Sequence, residues 1–126
     1  MVAFHSREKY LLMAHSPKHY KLLGQLVAAI ADHSPAAFRD EYMARFMEGL
    51  TVKATPRKHV NALQHVAGHL KKLVGAEERA RLQAVIKDYH QGLVPLVVPI
   101  TLLNHYVELH QAPYVKDQTY LNPHPK

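Results

Sequence analysis

The chain contains no cysteine among its 126 residues. This absence excludes disulfide bonds, zinc sites with thiolate ligands, iron–sulfur clusters and cysteine nucleophiles. Any metal would have to be bound by nitrogen and oxygen ligands alone. The enzyme classes that depend on a thiolate are therefore excluded from the sequence.

Long apolar runs are also missing. No stretch approaches the roughly 20 apolar residues that a membrane-spanning helix needs, and the first nine residues are too polar for a signal peptide. The five glycines form no phosphate-binding loop, G-x-G-x-x-G motif or G-x-S-x-G elbow. We therefore expect a cytoplasmic protein that does not enter membranes, with no cofactor and no complete active site of its own.

Carboxylates are absent from two long segments, residues 9–31 and 49–76. The whole chain has sixteen Lys and Arg against ten Asp and Glu, which gives a net charge of +6 beside eleven histidines. Histidines next to a polyanion shift toward their charged form. The uneven placement of the acids predicts one positive side on the folded domain, which is suited to phosphate contact.

Helix signals punctuate most of the chain. Proline at the first helical position, after a Ser or Thr cap, predicts three helix starts, at Ser16-Pro17, Ser34-Pro35 and Thr55-Pro56. Gly75 predicts a further start, and the last helix is expected to begin or kink at Pro99. Apolar residues recur at three- and four-residue spacing between these signals. The prediction is an all-α fold, one domain over residues 1–126 built as a compact bundle of about six helices.

The helical pattern stops at residues 111–126. This segment carries three prolines but also Tyr114, Val115, Tyr120 and Leu121, which are unusual in a solvated tail. We expect an extended, proline-rich strap that packs across the bundle.

The helix that follows Pro56 carries the most distinctive polar pattern. At the helical repeat, five polar residues fall within roughly 80° of one another, opposite the apolar stripe; they are Lys58, Asn61, His65, His69 and Lys72. Lysine suits phosphate, while amides and imidazoles can contact base edges. This pattern and the two acid-free segments together predict RNA binding through Lys9, Lys18, Lys21, Arg57, Lys58, Asn61, His65, His69, Lys71 and Lys72.

Three alternatives stay open at this point. His65 and His69, or His15 and His19, have the spacing of a metal pair, but local acids are absent and no metal site is expected. A small-ligand protein or enzyme would use a pocket beneath the strap, whose candidate residues could equally anchor the strap; they are Tyr10, His15, His105, Gln118 and Tyr120. A protein adaptor would show a large exposed apolar patch.

Several short motifs together resemble the YbgA-like family, long catalogued as a domain of unknown function. They are KYLLMAHS at 9–16, YKLLG at 20–24, HVNALQHVAG at 59–68, PLVVPITLL at 95–103 and QTYLNPHP at 118–125. Members of the family occur alone or behind a desulfidase-type domain that removes sulfur from thiolated uridine in tRNA, and this domain is implicated in holding the tRNA. The resemblance implies tRNA as the RNA class and a desulfidase-type enzyme as a partner. Desulfidation itself is not implied, because the cysteine-bearing half is absent.

The resemblance also marks individual positions. The family motifs carry over to Lys9, Tyr10, His15, Asn61, His65, Gly68, Gln118 and Tyr120. Gly68 is expected to permit close helix packing. The other seven are expected to form either a shared polar site or the hydrogen bonds that hold the strap.

Overall fold

Six α-helices account for most of the chain in a computed structural model, which describes residues 2–113 and 115–122. They are α1 (Val2–His15), α2 (Pro17–Ala28), α3 (Pro35–Leu50), α4 (Pro56–Leu70), α5 (Ala76–His90) and α6 (Val97–Leu109), with a 3₁₀ turn at Ile30–Asp32. No strand occurs in these two ranges, and the predicted all-α fold is confirmed. No helix within them is long and apolar enough to cross a membrane.

The helix starts follow the predicted capping chemistry. Ser16, Ser34 and Thr55 each accept a hydrogen bond at the side-chain oxygen from the backbone N–H three residues later. A proline occupies the next position in all three cases, where its missing N–H removes no helical bond. In α6 the proline at position 99 lies within the first turn, so the helix starts before it.

α1 packs against both halves of the bundle. Its Tyr10, Met13 and Ala14 belong to a larger core shared with α4, α5, α6 and the segment from residue 111 onward, here called the tail. Its Leu12 belongs to a second core, formed with Leu23 of α2 and three aromatic residues of α3, Phe38, Tyr42 and Phe46. A helix that buries two faces has no single apolar stripe. This explains why, of the six helices, α1 has the least clear periodicity of apolar residues.

Gly49 lets α3 approach α1 and α2 closely. A Cβ atom at this position would lie 2.7 Å from Leu12 Cδ1 and 2.9 Å from His19 Cβ. Gly68 behaves differently, because a Cβ there would meet nothing within 4 Å and the residue is exposed. The expectation that Gly68 permits close helix packing is therefore wrong, and Gly49 has that role.

The tail packs on the bundle through consecutive turns. Ala112, Val115, Tyr120 and Leu121 are buried. The backbone N–H of Gln118 donates to the carbonyl of Val115, and that of Leu121 donates to Gln118. The described residues of the tail thus form turns where an extended strap was expected, because the N–H groups of Gln118, Leu121 and Asn122 donate to carbonyls three or four residues earlier. Tyr114 and residues 123–126 of the predicted strap lie outside the described residues.

Candidate nucleic-acid interface

α1 and α4 lie side by side and run in opposite directions. At one end, Lys58 Nζ donates a hydrogen bond to the carbonyl of His15, the last residue of α1, at 3.0 Å. Further along, the rings of Tyr10 and His69 make an edge contact with centroids 5.9 Å apart. The two helices therefore present one continuous surface.

The outer face of α4 is polar and free of acids. Asn61, His65 and His69 are exposed, as is Lys72 just beyond the helix end. Neither α4 nor the exposed part of α1 carries a carboxylate, because the only acid on α1, Glu8, is buried and accepts a hydrogen bond from the Thr119 hydroxyl. Together α1 and α4 therefore expose cations, imidazoles and an amide with no acid of their own to neutralise them.

One histidine on this face, His69, has a lowered pKa that favours its neutral form. Partial burial lowers the pKa of His69, and the charges of Lys9 and His65 lower it further. A neutral imidazole can both donate and accept a hydrogen bond. Bound phosphates would oppose this shift, since a nearby anion favours the protonated ring.

A second basic group lies where the α1–α2 junction meets the start of α4. Lys58 is half-buried there and also donates to the carbonyl of Lys53, at 2.8 Å. Its two carbonyl contacts leave Lys53, Arg57 and Lys18 as the exposed cations of this corner. Lys18 also lies near Glu48, whose pKa is lowered by a hydrogen bond from His19, then by Arg45, and to a smaller extent by Lys18.

The two remaining predicted cations lie on other parts of the surface. Lys21 is exposed on α2, and Lys71 is exposed directly after α4. The carbonyl of Lys71 accepts a hydrogen bond from Arg79 of α5. The ten predicted RNA-binding residues thus divide among the α1–α4 surface, the corner at the start of α4, α2 (Lys21) and the segment directly after α4 (Lys71).

Two of the predicted pocket residues hold the tail. The side-chain amide of Gln118 donates to the carbonyl of Ser6 in α1. Tyr120 stacks on His59 of α4 with centroids 5.8 Å apart, and its hydroxyl lies 2.7 Å from His59 Nδ1. Burial and the nearby His15 lower the pKa of His59, so Nδ1 of its neutral ring can accept a hydrogen bond from the Tyr120 hydroxyl. His59 was not predicted as a site residue, because it falls beside the polar stripe of α4 and its partner is 61 positions away.

The other predicted pocket residues make different contacts. Tyr10 is buried in the larger core, and His15 donates from Nδ1 to the carbonyl of Val52 at 2.9 Å. His105 is exposed on α6, and so is His65 on α4. A buried cluster of His65, His105 and Tyr120, which would favour a pocket beneath the tail, is not formed, because both histidines are exposed. Within the described ranges, no three His, Asp or Glu side chains converge as a metal site would require.

A serine, a histidine and a glutamate do line up at the start of α2. Ser16 Oγ lies 2.7 Å from His19 Nδ1, and His19 Nε2 lies 2.7 Å from Glu48 Oε1. This order resembles a catalytic triad. However, the serine oxygen already accepts the backbone N–H that caps the helix, and the residue is only 4% exposed. The arrangement therefore ties α2 to α3 and leaves no accessible nucleophile.

Stability is expected to fall in two stages as pH decreases. Burial lowers the folded-state pKa of His5, His59 and His69 below 6.5, so the unfolded chain takes up protons first and stability drops below that pH. Hydrogen bonds from His19 to Glu48, and from Gly75 and His110 to Glu78, lower the pKa of both carboxyls below 4.5. Their contribution is present above that value and is lost as pH falls through the lowered pKa.

Thermal unfolding between about pH 8 and about pH 3 would resolve these stages. In His59→Gln the first decrease should be smaller, whereas the second should be unchanged. A first decrease of the same size in His59→Gln would contradict the role given to this ring.

Comparison with known proteins gives a consistent family assignment. Residues 9–125 match the family described as "Protein of unknown function (DUF1722)". The chain is 32% identical over 127 aligned positions to the uncharacterised protein YbgA of Escherichia coli K12, covering 100% of this chain and 75% of that protein. No solved structure matches the chain.

Proposed function

Because this chain belongs to the YbgA-like DUF1722 family, we propose that it is an RNA-binding accessory domain that holds RNA against the surface of α1 and α4. The expected class is tRNA, and the expected partner is a desulfidase-type enzyme, as the resemblance of its motifs implies. The observation that supports the proposal is the absence of any exposed carboxylate on these two helices, where Asn61, His65, His69 and Lys72 are exposed.

The exposed groups divide into two kinds of contact. Lys72 and Arg57 lie at opposite ends of α4 and would bind phosphates, because their ammonium and guanidinium groups carry full charge. Asn61 and His65 lie between them and make no side-chain hydrogen bond or ion pair within the described ranges. They would contact bases or ribose, where amides and imidazoles can both donate and accept. Gly68 leaves the face without a side chain between the two histidines, so a ligand could approach the helix backbone.

Charge reversal at both ends of the face tests this directly. We expect the double variant Arg57→Glu/Lys72→Glu to bind total tRNA at least about tenfold more weakly, since it removes two phosphate contacts and adds repulsion. Five contacts with single-stranded RNA predict a log–log salt slope near −3.5, and losing two should reduce its magnitude by about 1.4. Lys58 is unsuitable for this test, because its substitution would also remove the hydrogen bonds to His15 and Lys53.

A matched control separates the face from net charge. Arg39→Glu/Arg81→Glu makes the same change at exposed positions of α3 and α5. It should retain most of the tRNA affinity of the unmodified chain. An equal loss of tRNA affinity in both double variants would show that the binding is non-specific charge attraction and does not depend on this face. Failure of the unmodified chain to bind tRNA at low salt would overturn the proposal.

A further inference from the structure

A groove of about 810 Å³ runs between the C-terminal part of α6 and the tail. Three carboxamide side chains line it, those of Asn104, Gln111 and Asn122. Val107 and Pro113 add apolar surface. Small-molecule sites in proteins combine an apolar wall with a few polar groups and commonly measure about 300–1,000 Å³. The groove has both the size and the chemistry of such a site.

Gln111 is held in an uncommon backbone conformation at the edge of this groove. Its φ is +50°, and it is the only non-glycine residue with positive φ in the described ranges. It follows the end of α6, where the N–H of Ala112 donates to the carbonyl of Val107. Helices usually place glycine at this position, because a side chain is strained there. Strained residues of this kind concentrate at functional sites.

The carboxamides leave several hydrogen-bonding groups open. The Asn104 amide nitrogen donates to the carbonyl of Leu121 at 2.9 Å, and its oxygen faces the Asn122 amide nitrogen at 3.4 Å. Asn104 thus positions Asn122, whose side-chain oxygen has no partner in the described ranges. The Gln111 amide also has none. The groove therefore offers at least one donor and two acceptors to a ligand.

We propose that this groove binds a nucleobase together with its ribose phosphate. Carboxamides pair with base edges because both present a donor beside an acceptor. Val107 and Pro113 would contact the flat face of the base, Lys116 would bind the phosphate, and Glu108 would accept hydrogen bonds from ribose hydroxyls. The base could come from a bound RNA strand, which rests on the function proposed for α1 and α4, or from a free nucleotide, which does not.

The strained residue offers a variant that separates binding from folding. Gln111→Gly removes the side chain and relieves the backbone, so we expect Tm to rise by about 3–5 °C. Affinity for the four nucleoside monophosphates, measured by NMR titration, should fall about tenfold with the loss of one hydrogen-bonding group. Ribose 5-phosphate should bind the unmodified chain much more weakly than the nucleotides. Gln91→Gly is the matched control, because Gln91 follows α5 with an ordinary φ of −84°.

Parallel titration with total tRNA distinguishes the two proposals. Nucleotide binding that is lost in Gln111→Gly supports the groove, and a weaker tRNA affinity in the same variant assigns the base to RNA. Nucleotide binding without tRNA binding would keep the groove as a free-nucleotide site and overturn the RNA function. If tRNA binding depends on Arg57 and Lys72 but nucleotides bind neither the unmodified chain nor Gln111→Gly, the groove proposal is overturned and the RNA function stands. If nothing binds, both fail.

Discussion

Tyr120→Ala is expected to lower the free energy of unfolding by about 3–5 kcal/mol, the usual cost of removing a large buried aromatic side chain. Tyr120 is 6% exposed in the larger core, stacks on His59 and bonds to it through the hydroxyl. Removing the ring would leave a cavity between the tail and α4. Urea unfolding should show a lower midpoint in a single transition, because the tail belongs to the same core as α4, α5 and α6.

Tyr120→Phe is the control that separates packing from hydrogen bonding. It keeps the ring and removes only the hydroxyl, so we expect a loss of about 1–2 kcal/mol. A loss below about 1 kcal/mol in Tyr120→Ala would mean that the tail is not part of the cooperative unit. The tail would then detach independently of the core, and the side of the groove that it forms would not be stably positioned.

The same substitution at two glycines should have opposite effects. We expect Gly49→Ala to reduce stability by about 2 kcal/mol, because overpacking between α3 and the α1–α2 pair outweighs the gain in helix propensity. The new methyl group would lie within 3 Å of His19 Cβ, which is close to the backbone and cannot move alone. Gly24→Ala, within α2, meets nothing within 4 Å and should gain about 1 kcal/mol.

Denaturant midpoints with unchanged slopes would establish the difference of about 3 kcal/mol between these two variants. In Gly49→Ala, the forced separation of α3 from α2 should also weaken the hydrogen bond between His19 and Glu48, which joins the same two helices. Equal gains at Gly49 and Gly24 would show that α3 can move away from α1 without cost, contrary to the contact described for Gly49.

Local chemistry explains which parts of the fold could be predicted. The three Ser/Thr-Pro pairs define helix starts within four residues of sequence, and α2, α3 and α4 begin at the expected prolines. The conformation of the tail was not predictable in this way. Its turns depend on partners such as Ser6 and Asn104, which are distant in sequence. The close contact at Gly49 was missed for the same reason.

The candidate site, too, could be predicted only where it depends on local sequence. The exposed face of α4 follows from helical periodicity, so Asn61, His65 and His69 are exposed as their spacing predicts. Periodicity could not show that Lys58 bonds to two carbonyls, because one acceptor lies at the end of α1. Nor could periodicity predict that Gln111 and Asn122 line the same groove, since that groove depends on how the tail folds back on α6.

The contacts between the tail and α1 have a consequence for how the protein is made. Gln118 bonds to Ser6, and the N–H of Thr119 donates to the carbonyl of Arg7 at 3.0 Å, across 112 residues in each case. On the ribosome, α1 is made before the residues of the tail that cover it. The larger core can therefore close only after the tail has been synthesised, and until then the apolar faces of α1 and α4 stay open to chaperones.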